Sequence, residues 1–170
     1  MKKIPILILF ILMVNSNLIA QNDGVSAFLL KWENSKNYLL EIAEAMPEAN
    51  YNFKPTERQM SFKEQLLHIR QNMVWLSETY FMENVEKSKN TEPNTKEEIL
   101  THLAASFNRV SEIIKTVSNE DLSVEVEFFA GPKSKLQILN LLQDHVTHHR
   151  GQLIVYLNLN NIQPPKYSGW

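Results

Sequence analysis

The chain has 170 residues, 17 Lys+Arg against 19 Asp+Glu, no cysteine and only four glycines. That length can bury a real core. The absence of Cys excludes disulfides, thiolate metal sites and a cysteine nucleophile. A net charge of -2 gives no electrostatic footprint for nucleic acid. Five histidines remain, three of them within five residues, so the chemistry the composition permits is histidine chemistry.

Lys2 and Lys3 precede an eleven-residue apolar run at 4–14, interrupted only by Pro5, and a more polar stretch ending at Ala20. This is the layout of a secretory signal peptide, and the run is short of the roughly 20 apolar residues a membrane span needs. Residues 1–20 are therefore expected to be removed. Leu18 fits the small-x-small cleavage rule poorly. The mature part, 21–170, then carries 15 basic and 19 acidic side chains, a charge of -4. The expectation is an exported protein, periplasmic or secreted, without stable membrane insertion once the leader has gone.

Four amphipathic helices follow. Phe28, Trp32, Ser35, Leu39, Ile42 and Met46 recur at three- and four-residue steps, which keeps one helix face apolar. Pro47 ends that helix, because a residue before proline avoids the helical region. Residues 50–55 read as a loop. Ser61 and Glu64 form a capping-box signature ahead of the stripe Phe62, Leu66, Ile69, Met73, Leu76, Tyr80. The polar stretch 86–94, with Pro93, separates this helix from the next. Thr95 and Glu98 repeat the box before Ile99, Leu103, Ser106, Val110, Ile113 and Val117.

Residues 123–130 break the period. Val124, Val126 and Phe128 alternate with Glu125 and Glu127, which predicts a short extended segment, and Gly131-Pro132 predicts a turn. The last helix runs from near Ser134 to about Asn160, and Pro164-Pro165 forces an extended tail. The fold class is all-α: an antiparallel four-helix bundle with a long connection before the last helix.

The last helix carries Asp144-His145-Val146-Thr147-His148-His149-Arg150-Gly151-Gln152. His145 and His149, at i and i+4, project from one face. Two imidazoles so spaced can grip a divalent metal through bonds of about 2.0–2.1 Å. The pair has the spacing of H-E-x-x-H, but Val146 stands where that motif needs a glutamate base, which removes the metalloprotease reading. A third ligand must come from another helix. His68, on the polar ribbon of Gln65, Asn72 and Trp75, is the better candidate, and His102 is the alternative. His148 is rotated about 100° from His149 and falls off the site. Asp144, Glu64 and Gln65 are placed to orient imidazoles. Tyr156 and Asn72 are the polar groups to consider near the reacting position. Arg150 reads as a helix-to-helix ion pair, and Gly151 as a point of close approach.

At these residues the chain resembles the DinB-like (DinB/YfiT-like) superfamily of metal-binding four-helix bundles. The resemblance rests on His145-x-x-x-His149-Arg150-Gly151-Gln152, Tyr156-Leu157 and the Pro164-Pro165 tail, and on Tyr51-Asn52-Phe53-Lys54-Pro55 with Ser61-Phe62 leading to His68. It implies a site of His68, His145 and His149 around a divalent transition metal, Zn first, with Ni, Fe or Mn as alternatives. Positions left open on such an ion can lower the pKa of water or a thiol. It also implies a metal-dependent enzyme, of thiol S-transferase or hydrolase type, acting on an unidentified small molecule, with a non-catalytic metal- or ligand-binding module as the alternative. Export sets the thiol-transferase reading apart, because cytosolic thiol cofactors are scarce outside the cell. Pairing of two copies through an apolar helix face is compatible with this kind of bundle.

Overall fold

The computed structural model describes residues 24–83 and 92–170. The predicted leader lies outside the described residues, as does most of the polar stretch 86–94. Four long helices make up the fold: α1 (Gly24–Ala45), α2 (Phe62–Phe81), α3 (Lys96–Lys115) and α4 (Lys135–Leu159). Among the described residues no helix is long and apolar enough to cross a membrane.

The helix starts follow from side chains that satisfy the free amides of a first turn. Ser61 with Glu64, and Thr95 with Glu98, form complete capping boxes. Ser134 with Gln137 forms a third at the start of α4. The three apolar stripes are buried as their spacing predicts, except that Tyr80 at the end of α2 is half-buried. Trp32, Leu39, Ile42, Met46, Phe62, Leu66, Ile69, Leu76, Phe107 and Val110 are sealed from solvent. The Trp32 indole also donates to the Phe107 carbonyl across the core, at 3.1 Å.

Each of α1 and α2 packs against both α3 and α4, so α1 and α2 face each other across a diagonal. Contacts between side chains give the directions. Lys96 Nζ reaches the Glu44 carbonyl while Trp32 meets Phe107, so α1 and α3 are antiparallel. Gln65 meets Gln152 while His68 meets His145, so α2 and α4 are antiparallel too. The other neighbours run parallel: Lys63 meets Asn94 and Arg109 meets Glu78 between α2 and α3. Ser35 meets Gln143 and Asn50 meets Asn160 between α1 and α4.

The long connection before α4 contains a 3-10 turn (Asp121–Ser123) and a small antiparallel pair, β1 (Glu125–Val126) with β2 (Lys133–Ser134). The extended pairing is shorter than the alternation of Val124, Val126 and Phe128 predicts, because Phe128 leaves the ladder to accept the turn's amide from Gly131. Gly131 has φ +88°, a conformation that favours glycine. Past Pro164-Pro165 the tail lies back on the bundle. Tyr167 packs edge-on against Tyr38, and Asn34 donates to the Trp170 carbonyl.

Candidate metal centre

The α2/α4 seam brings His68, His145 and His149 together. One nitrogen from each ring lies within 4.8 Å of the others. The ring centroids are 4.5–4.8 Å apart. The Nε2 atoms of His68 and His145 face each other at 3.1 Å. Two nitrogens bound to one ion at about 2.0–2.1 Å stand roughly 3 Å apart, so this separation fits a shared ion. His149 is buried, whereas His68 and His145 are half-buried.

The tautomer of His149 is fixed from α2. Its Nδ1 lies 2.5 Å from the Gln65 carboxamide oxygen, which can only accept, so Nδ1 carries the proton and Nε2 presents its lone pair inward. Gln65 is itself buried and held. Its amide donates to Gln152 Oε1 at 2.6 Å and to the Tyr156 hydroxyl at 3.3 Å. Gln152 in turn reaches His148 Nε2 at 2.8 Å. His145 lacks such support: its Nδ1 is buried without a hydrogen-bond partner among the described residues.

Electrostatics favour the neutral, metal-ligating form of His145 and His149. Burial, reinforced by repulsion from His149, His68 and His148, pushes His145 down to about 4. Burial and repulsion from His68 and His148 push His149 down to about 4. His145 and His149 bring no charge to oppose a cation where the three rings converge. The donor set therefore fits a divalent transition ion, and imidazole suits several of them.

Several sequence expectations find other places. His102 stands away from the cluster, on a cavity between α2 and α3. Glu64 turns to the Ser61 amide and to Lys54, at 3.1 Å, so it serves the helix start. Asp144 is exposed. Of the three proposed orienting groups, Gln65 alone does that work. Tyr156 is buried and its hydroxyl donates to the Met60 carbonyl at 2.9 Å, so its proton is engaged. Asn72, one turn from His68 on α2, keeps a buried, unpartnered Oδ1. Trp75 lies on a separate cavity with Arg70 and Glu92, beside Phe128 and Phe129.

Arg150 makes no ion pair among the described residues. It is 4 % exposed, donates to Ser35 Oγ at 3.1 Å and lies over the Tyr38 ring. The close approach belongs to Gly169, where a Cβ would come within 2.9 Å of the Arg150 guanidinium. Gly151 is exposed with open space around its missing Cβ. The link from His149 through Gln65 and Gln152 to His148 escaped the sequence reading. The Gln152 that follows His148 at i+4 was its one sequence signal.

Fold and site together define a helix bundle whose α2/α4 seam carries a three-histidine cluster suited to a metal ion. The sequence profile of the DinB family matches residues 13–167, and the chain belongs to that family. The chain is 30% identical over 157 residues to the uncharacterized protein YjoA of Bacillus subtilis, covering 86% of this chain and 96% of that one. The crystal structure of that DinB-like protein superposes with a TM-score of 0.72 at 22% identity, over 84% of this chain and 96% of the other. A DinB-like protein from Bacillus cereus superposes with a TM-score of 0.71 at 16% identity and the same coverages. These superpositions bear on the fold.

Proposed function

We propose that this chain is an exported metalloprotein in which His68, His145 and His149 hold one divalent transition ion, Zn first. The proposal extends to catalysis of a transfer or hydrolysis on a small molecule. One observation carries the reading: three imidazoles converge, and one of them, His68, also lines an open cavity of about 500 Å³ with Lys54, Arg58, Met60 and Gln71. A structural Zn site closes with four protein ligands, whereas a site with three keeps room for a substrate. When bound, such an ion supplies Lewis-acid chemistry that lowers the pKa of water or a thiol.

The chain's own contribution is to position and to shield. Gln65 holds the His149 ring in the tautomer that offers Nε2. Tyr156 and Met60 brace Gln65 from beneath, and the 51–55 loop packs there, with Phe53 edge-on to Tyr156. The cavity wall mixes Lys54 and Arg58 with Glu57, Glu64 and Glu92, so it selects for a polar substrate rather than for one sign of charge.

A non-catalytic binding module is the second reading. It draws on the engagement of the Tyr156 hydroxyl with Met60, which leaves the site without a free phenolic acid. The two separate on one screen: zinc-loaded protein is offered small electrophiles with and without thiols, and simple esters and amides. Turnover that disappears with chelator and in His145→Ala supports the enzyme. Stoichiometric metal without turnover across the whole screen supports the module. Export is tested by fractionating cells that express the full chain and sequencing the N-terminus of the mature form.

A further inference from the structure

Arg70 lies two residues beyond His68 but on another side of α2. It is 8 % exposed, and its buried Nε has no hydrogen-bond partner among the described residues. No ion pair to its guanidinium is found among the described residues. A buried cation without a counter-charge is costly, and proteins normally pair it. Arg150 shows the contrast: it too is buried, yet it has Ser35 and the Tyr38 ring.

Arg70 lines two cavities that share Arg70 and Val74. One, of about 240 Å³, lies between α2 and α3 and is bordered by His102, Ser106, Arg109 and Glu78. The other, of about 300 Å³, adds Gln71, Trp75 and Glu92. Glu78 does not neutralise Arg70, because its carboxylate is taken by Arg109 at 2.6 Å. The first cavity thus has one cation more than it has anions, together with a serine hydroxyl and an imidazole. Of these two cavities the first lacks Glu92, which gives it the more favourable field for an anion.

We propose that Arg70 is the floor of an oxyanion-binding site between α2 and α3, separate from the histidine cluster. It takes the carboxylate or phosphate group of a small molecule. The guanidinium fork offers paired donors to either group, and His102 and Ser106 stand at the same cavity to complete the shell. The site lies on the opposite flank of α2 from the α4 histidines, so it does not depend on their metal.

The test is a titration of the full chain with sodium phosphate and, separately, sodium acetate, at constant ionic strength held with sodium chloride. Arginine side-chain Nε–H resonances and the melting temperature are followed. A saturable shift of the Arg70 resonance, with a rise in melting temperature, supports the site. A response to phosphate alone or to acetate alone assigns the source of the oxyanion. The response persists in His145→Ala and weakens by at least about tenfold in Arg70→Gln. Ala105→Glu, on the exposed rim of the same cavity, weakens it similarly by offering a competing carboxylate, which covers a failure of Arg70→Gln to fold. No shift of Arg70 with either salt, an unchanged response in both cavity variants, or loss of the response in His145→Ala overturns the proposal.

Discussion

His149 and Arg150 are adjacent on α4 and both buried, yet they face opposite neighbours and meet opposite surroundings. Arg150 turns to α1, where Ser35, the Tyr38 ring and the Gly169 backbone enclose it, and Ser35 also accepts from Gln143 at 2.9 Å. That polar layer is internal, although Gln143 Oε1 is left buried and without a partner among the described residues. His149 turns to α2, where Gln65 secures one ring nitrogen and the other converges with His68 and His145. The first layer turns its cation to the chain's own atoms, and the other keeps lone pairs aimed at a common point. Buried polar groups paired within the chain contribute specificity and stability, whereas several lone pairs converging on one point mark a ligand site.

The comparison breaks first at the ligands. His145→Ala and His149→Ala should reduce metal from stoichiometric to background by elemental analysis, with the helical signal retained. Arg150→Ala should leave metal content unchanged. Instead it should destabilise the apo fold by about 2–4 kcal/mol in urea denaturation, because Ser35 loses a charged partner and a cavity opens under the tail.

Gln65→Leu should follow, lowering metal affinity by about 10–100-fold while the fold survives, since the lost contact orients a ligand without touching the ion. Competition titration against a chelator reads that loss. Gln65→Glu should hold the affinity, because a carboxylate accepts from His149 Nδ1 equally well.

Acid sharpens the contrast further. His145 and His149 have folded pKa values near 4 against an ordinary value of 6.5. The unfolded chain therefore binds these protons more readily. Apo stability should be full above about pH 6.5 and fall as pH drops toward 4. Thermal melts between pH 7.5 and 4.5 should show this fall, and it should shrink in His145→Ala. Gly169→Ala should have the smallest effect, about 1 kcal/mol, as the tail gives way to the guanidinium.

Much of this was legible in the chain. Apolar periodicity and the Ser61/Glu64 and Thr95/Glu98 boxes report on single helices, and they located the helices well. The His145/His149 spacing is likewise local. His68 was legible because it sits on a polar ribbon beside a core stripe, the place where a bundle sets ligands. What failed depended on how helices register against each other. Periodicity carries no direction, so the parallel neighbours α2/α3 and α1/α4 were invisible to it. Arg150 was expected to find a carboxylate, but the residues opposite it on α1 are Ser35 and Tyr38. Gly151 was expected at a close approach that the tail makes at Gly169, eighteen residues on in the same sequence. Arg70 carries no local signal at all: its burial comes from the packing of the helices around it.

The central claim is that three imidazoles hold one ion and leave part of its coordination open. X-ray absorption at the zinc edge of the zinc-loaded wild type tests it most directly. The account predicts one ion per chain with three imidazole nitrogens at about 2.0–2.1 Å, completed by oxygen scatterers from solvent. A spectrum with fewer than three imidazoles, a fourth protein nitrogen closing the shell, or a chain that takes up no zinc would contradict it.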